Sequence, residues 1–364
     1  MGAVKLAIAA ALLSGACIRP AEDRALADLD IGVAEAGGAT FTVADGHASV
    51  PAAGSGNLAL WGQAPSLRID VALAPGAETT WDLRVFNAMP DAVLTAPANV
   101  TVIDEGNPRP AARRWTVVFD GVEDSAVLTI GSPDAAMRDP FRFAYMADIQ
   151  TGVDHVADLF DRMNEDESIR FVVMGGDLTE DGGRDELDRV QLELERLQVP
   201  MFATIGNHEL FGPDRVWEDL VGIRNFHFEF KGAHFTLVDS ASATLDPWVY
   251  DRLDDWLDVA RDEVHVLATH YPPFDPIGVR QGGFRSRKEA GKLFSLLAGG
   301  GVDTLFAGHI HSYYAFEVSG IPVYISGGGG ADPKELLDGI DRHYLTVDVT
   351  PGLRIEQVGV VRID

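Results

Sequence analysis

Five times in its second half the chain runs through a short apolar stretch and ends it on residues that ligate metals. The stretches are Met146-Ala147-Asp148-Ile149-Gln150, Met174-Gly175-Gly176-Asp177, Thr204-Ile205-Gly206-Asn207-His208, Leu267-Ala268-Thr269-His270 and Phe306-Ala307-Gly308-His309-Ile310-His311. Between them lie segments of helical period, such as Val153, Val156, Ala157, Phe160 and Met163, so the apolar runs read as strands alternating with helices. In an α/β sheet of this kind the carboxyl ends of the strands open on one edge, where ligands gather. The loops there hold polar groups rigidly because the strands beneath are buried. A single Gly-Asp or Gly-Asn-His carries little information, but five such endings in one order are hard to produce by chance. A glycine precedes Asp177, Asn207 and His309, where the lack of a Cβ lets the chain turn sharply against an ion.

The first half has a different grammar. Thr40–Val43, Leu67–Leu73, Trp81–Phe86, Trp115–Phe119 and Ala126–Ile130 are short β-type runs, several of them alternating, separated by Gly, Pro, Asn and Asp. Their spacing predicts an all-β sandwich over 39–138, with Gly131 to Pro140 as linker. His47 is the one histidine of the ten that lies before residue 140, and the carboxylates there are scattered. The sandwich is therefore read as a stability or spacing domain, with a carbohydrate- or partner-binding module as the alternative. Residues 18–38 are rich in Ala and acids and read as a tether. Residues 1–17 carry one positive charge (Lys5), an apolar run Leu6–Leu13 too short to span a bilayer, and then Ser14-Gly15-Ala16-Cys17. This resembles a bacterial lipobox with Cys17 as lipidated N-terminus, the alternative being a plain signal peptide. Export across the inner membrane follows, with lipid anchoring at the periplasmic or outer-membrane face. Residues 139–364 form the remaining domain. Acidic residues outnumber basic ones 56 to 29, for a net charge of −27, which repels phosphate backbones and argues against non-specific nucleic-acid binding. One cysteine in the chain excludes a disulfide scaffold.

Taken together, the five endings resemble the calcineurin-like metallophosphoesterase superfamily, whose pattern runs D-x-H, G-D-x-x-[DE or Y], G-N-H-[DE], H, G-H-x-H. The resemblance covers about residues 141–364, including Leu237-Val238-Asp239-Ser240 and the turn Gly327–Gly330. It implies a four-layer αββα sandwich and two divalent metal ions (Mn, Fe, Zn or Mg) where the loops meet. Asp148, Gln150, Asp177 and His311 would hold the first ion. Asp177 would bridge to the second, held also by Asn207, His270 and His309. The implied function is hydrolysis of small-molecule phosphate mono- or diesters by a metal-bridging hydroxide. His208 would be the general acid, and the Glu180 carboxylate would orient its ring. Three departures matter. Gln150 stands where the family has histidine, which biases that site toward oxygen-preferring ions. Glu180 stands where purple acid phosphatases, similar in layout, need a tyrosine for ferric iron. Asp181-Gly182 stands where phosphoprotein phosphatases place Arg-Gly, so Arg280 and Arg285 become the best substitutes for gripping phosphate, with salt bridging on an acidic surface as the equal alternative. The competing readings are a catalytically idle surface lipoprotein that binds metal or phosphate, and a sandwich that docks on envelope polysaccharide or another lipoprotein.

Overall fold

The computed structural model describes residues 20–213, 215–278, 282–332 and 340–363. The lipobox-like segment with Cys17, and Arg280, lie outside them.

Two mixed sheets form the centre of the second half. One has the strand order 201–203, 169–174, 141–146, 343–350, 354–362, and the other 226–230, 233–238, 264–269, 304–307, 321–326, 313–318. In the first sheet 201–203, 169–174 and 141–146 pair parallel and the rest antiparallel; in the second the inner pairs are parallel and both edge pairs antiparallel. Between the sheets the side chains are largely aromatic. Phe143 and Phe171 meet Phe235 edge to face at 5.1 and 5.2 Å, and Phe202 meets Phe228 at 5.3 Å. Such ring pairs add about 0.5–1.5 kcal/mol each beyond their burial. The outer face of the first sheet packs on the helices Ala157–Asn164 and Arg184–Leu194, and that of the second on Pro247–Val259 and Arg287–Gly300. The expected αββα sandwich is the observed one. The last of these helices starts with the Ser286 hydroxyl accepting from Glu289 N–H and ends at Gly301 in the left-handed region, the cap at each end that a helix needs.

Residues 33–131 make two further five-stranded sheets, ordered 33–36, 39–43, 66–73, 125–131, 93–95 and 48–54, 57–62, 80–86, 112–119, 100–106. Alternation along 80–86 and 112–119 turns Trp81, Leu83, Val85, Trp115 and Val117 inward, and Phe41 from the other sheet packs edge-on against Trp81 at 4.8 Å.

Two details tie this sandwich to the rest. Asn87 donates to Met201 O at 2.7 Å and accepts from Met201 N–H at 2.8 Å; Gln63 accepts from Ala203 N–H at 3.0 Å and donates to Ala203 O at 3.4 Å. Two buried side-chain amides thus complete the free edge of the strand Met201–Ala203, which otherwise has no backbone neighbour on that side. The expected tether is also not a tether from Ala21 onward. Ala21–Ala27 is a helix, and its Arg24, buried, makes a two-pronged bond to Asp239 at 2.6 and 2.9 Å. Asp28, equally buried, accepts from Arg224 and Asn225. Ala and acidic residues look solvated in a sequence, but here small side chains allow close approach and the acids find buried partners.

Candidate metal centre

Each of the five strands ends as the sequence spacing requires, and their loops lock onto one another. Asp148 N–H donates to Gly176 O, Gln150 N–H to Asp177 O, and Gly308 N–H to His270 O. Gly176 makes the sharp turn that the sequence suggested, with φ of 90°, whereas Gly206 and Gly308 serve this interlocking. Gly206 and Gly308 do not lie in the left-handed region; a Cβ on Gly206 would strike the Asp177 carboxylate, and one on Gly308 would come within 2.6 Å of Ala147 Cβ and 2.7 Å of Asp148 Oδ2. The left-handed region is occupied instead by Asp148, Gln150, Asp177 and His309, with φ of 65, 46, 56 and 67°.

Two groups of ligand atoms result. Asp177, His270 and His309 each offer one within 4.8 Å of the others, and so do Asp148, Asp177 and His311, with Asp177 common to both. Asn207 joins the first group, its Oδ1 being 3.0 Å from His270 Nε2. Gln150 joins the second through its amide nitrogen, which donates to Asp177 Oδ2 at 2.7 Å and lies 3.3 Å from His311 Nε2. To serve as a ligand, that amide turns over to present its oxygen. Every residue named for the two ions is therefore in one cluster, and Gln150, Asp177, His309 and His311 line a cleft of about 270 Å³ together with Thr151, Glu180, His208 and Asp332. Arg285 is not among its walls.

Cation binding is what this donor arrangement suits. His270 Nδ1 donates to Gly175 O at 2.8 Å and His311 Nδ1 to Asp332 O at 2.9 Å, so each neutral ring turns the Nε2 lone pair inward. There His270 Nε2 faces Asn207 Oδ1 at 3.0 Å and Asp177 Oδ2 at 3.2 Å, and His311 Nε2 faces Asp148 Oδ1 at 3.5 Å. Acceptors aimed at acceptors in a buried site repel unless a positive charge lies between them. With protons alone available, His270 takes that charge: burial opposes it, yet the Asp177 carboxylate pushes the ring up to about 9. Burial likewise opposes a charge on Asp177, but His270 holds it well below the usual carboxylate range. A divalent ion satisfies the same atoms, and oxygen and imidazole ligands without sulfur suit Mg²⁺, Mn²⁺, Zn²⁺ or Fe²⁺.

His208 and Glu180 stand differently from expectation. His208 Nδ1 donates to the main-chain carbonyl of Glu180 at 2.7 Å, while the Glu180 carboxylate is 3.7 Å away and its side chain is 40% exposed. The carbonyl, not the carboxylate, orients the ring. The cause is Glu209, to which the sequence reading gave no role. Its buried carboxylate accepts from the N–H groups of Asp177, Thr179 and Gly206 at 3.1, 2.9 and 2.8 Å and from the Thr179 hydroxyl at 3.0 Å. It pins the second loop to the third and fixes the carbonyl of Glu180 over His208. Burial, then the Asp177 charge, push Glu209 up to about 7. Its signal was present in the sequence, since an acid directly follows His208. Asp239, at the end of a sixth strand, faces Arg24 rather than the cleft, and Ser240 beside it accepts from Tyr271 N–H at 2.8 Å, holding the loop of His270. Gly327–Gly330, read as a tight turn, packs against the first motif: Gly329 N–H donates to Ala147 O at 2.9 Å. His227, His234 and His265 cluster separately on three neighbouring strands, linked to each other and through Thr236.

The sequence matches the calcineurin-like phosphoesterase family over residues 141–313. Among solved structures it is similar to purple acid phosphatase PPD1 from yellow lupin (Lupinus luteus) seeds, with 13% identity, 82% of this chain and 70% of that one covered, and a TM-score of 0.52. A dimetal phosphatase from Danio rerio matches at 16% identity over 62% of this chain and all of its own (100%), with a TM-score of 0.48, and PhoD at 12% over 82% and 87%, with 0.47. A search of curated proteins returns no match. At these identities the likeness concerns the fold, and the lupin enzyme carries it.

Proposed function

We propose that this chain, whose residues 141–313 match the calcineurin-like phosphoesterase family, hydrolyses small-molecule phosphate mono- or diesters with two divalent ions. The observation that carries this reading is the convergence of His270 and His311 lone pairs on the carboxylates of Asp177 and Asp148. Asp148, Gln150, Asp177 and His311 would hold one ion, and Asp177, Asn207, His270 and His309 the other. When bound, the ions would draw charge from the phosphoryl group and bring water to ionise near pH ~7. The chain's own residues do the rest. The loops hold the ligands without backbone reorganisation, because the backbone around them is already bonded, and the Gln150 amide has to turn over. His208, its Nδ1–H committed to Glu180 O, keeps Nε2 for the cleft, 4.0 Å from Asp177 Oδ2. From there it would pass a proton to the departing ester oxygen. The Glu180 carboxylate stands farther off, 3.7 Å from His208 Nδ1.

The test is hydrolysis of aryl phosphate mono- and diesters by the purified chain before and after chelation, with metal content measured on the same samples. Turnover that disappears with chelator and returns with Mn²⁺ is expected. Two bound ions with no turnover on any ester would leave an idle metal-binding protein instead. We also read Cys17 as a lipid anchor to the envelope; Cys17→Ser is expected to move the protein from the membrane to the soluble fraction.

A further inference from the structure

His208 begins a short 3₁₀ turn, His208–Phe211. With three residues per turn, side chains at i and i+3 eclipse, so Phe211 projects on the same side as His208. The two rings meet edge to face, centroids 5.6 Å apart and planes at 85°. Phe211 is not itself a wall of the cleft; it stands beside the His208 wall and leaves 49% of its surface to solvent, while the walls near His208 are polar: Gln150, Thr151, Asp177 and Glu180. A phenyl ring left half in water gains little from the fold, and further burial of its apolar surface is favourable. A ligand ring laid against it would supply that burial.

His208 fixes which part of a ligand reaches this place. Its Nδ1 is engaged by Glu180 O at 2.7 Å, so the proton it gives leaves from Nε2 to the departing oxygen. The carbon group bonded to that oxygen then lies on the His208 side of the cleft, where Phe211 stands. The Glu180 carboxylate is 3.7 Å from His208 Nδ1 and, being unneeded for the ring's orientation, adds negative charge on this side. It disfavours a leaving group that carries its own anion.

We propose that Phe211, beside His208, is a leaving-group subsite for an uncharged aromatic ring, so that aryl phosphates are preferred over alkyl ones. This rests on the phosphoesterase reading above. Phe211 would be a specificity residue, touching the ligand and not the reacting atoms.

Titration calorimetry of the Mn²⁺-loaded chain with phenylphosphonate and methylphosphonate measures the preference without turnover. The phenyl compound is expected to bind about five-fold tighter, the scale of one aromatic contact. Phe211→Ala should bring the ratio close to one, and Phe211→Tyr should keep it. In parallel, the ratio of kcat/KM for phenyl phosphate over trifluoroethyl phosphate should fall in Phe211→Ala through the phenyl arm. Equal binding of the two phosphonates by the unaltered chain overturns the inference and leaves the phosphoesterase reading intact. Equal weakening of both arms in Phe211→Ala also overturns it, making Phe211 a prop for the His208 ring. Binding of neither phosphonate, together with no hydrolysis of any ester, removes the phosphoesterase reading and the subsite with it.

Discussion

The two regions use left-handed backbone for different ends. In the sandwich it falls mainly on glycines at turns, Gly32, Gly37, Gly38, Gly56, Gly76, Gly106 and Gly121 among them, where the missing Cβ makes it nearly free of strain. In the αββα body glycines take it at turns too, but Asp148, Gln150, Asp177 and His309 share it, residues whose side chains converge on one cluster. Strain of this kind costs about 1–3 kcal/mol per residue and persists only where the surroundings over-determine it. Gln150 makes the point best, since Asp and His tolerate this region comparatively well. A glycine would be cheaper at each position and would bind nothing. The contrast teaches that one region is shaped for stability and the other accepts strain to aim donors.

The largest expected effect tests that division within a single loop. His208→Ala removes the imidazole but keeps the backbone N–H that donates to Asp177 Oδ1 at 2.9 Å. Metal content should therefore stay near its original level while kcat on alkyl esters falls about 10²–10⁴-fold. The loss should be smaller with nitrophenyl esters, whose leaving group needs little protonation. A variant that loses metal, or slows good and poor leaving groups alike, would break the separation between aiming and chemistry.

A second test asks whether the N-terminal helix belongs to the body. Arg24 and Asp239 have 2% and 3% of their side chains exposed. Arg24→Ala leaves the Asp239 carboxylate buried with its main partner gone, at a cost of about 3–5 kcal/mol, readable as a lower urea midpoint. Removing the exposed pair Arg68–Asp70 of the sandwich, 56% and 47% exposed, should cost no more than about 1 kcal/mol. Equal costs would contradict the assignment of Ala21–Ala27 to the folded body.

These contacts mark where the sequence was legible. The strand endings were, because an apolar run followed by a ligand is a local pattern, and local patterns survive without knowledge of the fold. Asn87 and Gln63 were not, because their partners Met201 and Ala203 lie 114 and 140 residues away and an isolated Asn or Gln carries no signature. Arg24 and Asp28 were hidden by composition, since nothing in an Ala- and acid-rich stretch names Asp239 or Arg224 as partners. Glu180 was misjudged for a related reason. The motif fixes the position of the residue, but whether its carbonyl or its carboxylate meets His208 depends on how Glu209 folds the loop.

The amides of Asn87 and Gln63 offer the next test, at the seam between the regions. The strand they pair with, Met201–Ala203, runs directly into Asn207 and His208. Asn87→Ala leaves the N–H and C=O of Met201 buried and unpaired, at about 1–3 kcal/mol for each group left unpaired. The strand's end should then loosen, so metal affinity should drop as well as stability. A stability loss with unchanged metal affinity would make the sandwich a passive neighbour of the site.

The smallest effect concerns Asp134, in the stretch that joins the regions. Its carboxylate accepts from Arg170 at 2.6 Å and lies 2.8 Å from Lys231 Nζ. The bond to Arg170, against a partial burial penalty and with help from Lys231, holds Asp134 down to about 2, below its ordinary 3.8. An acid whose folded pKa is depressed binds its proton less readily in the folded state than in the unfolded one. Its contribution is therefore present in full well above pH 3.8 and is lost as pH falls toward about 2. The side chain is 26% exposed, so solvent screens the pair, and the contribution should be on the order of 1 kcal/mol rather than the full value of the shift. Asp134→Asn should thus lower the urea midpoint at pH 6 by a small, salt-sensitive amount. At pH 2.5 the difference between the two proteins should have largely closed. A difference that stays constant over that range would mean that Asp134 acts by packing or turn geometry and not by charge. A difference that widens as pH falls would reverse the sign argued here. Because Arg170 lies in one αββα sheet and Lys231 in a hairpin turn of the other, the same titration also reports how firmly the junction between the regions is held.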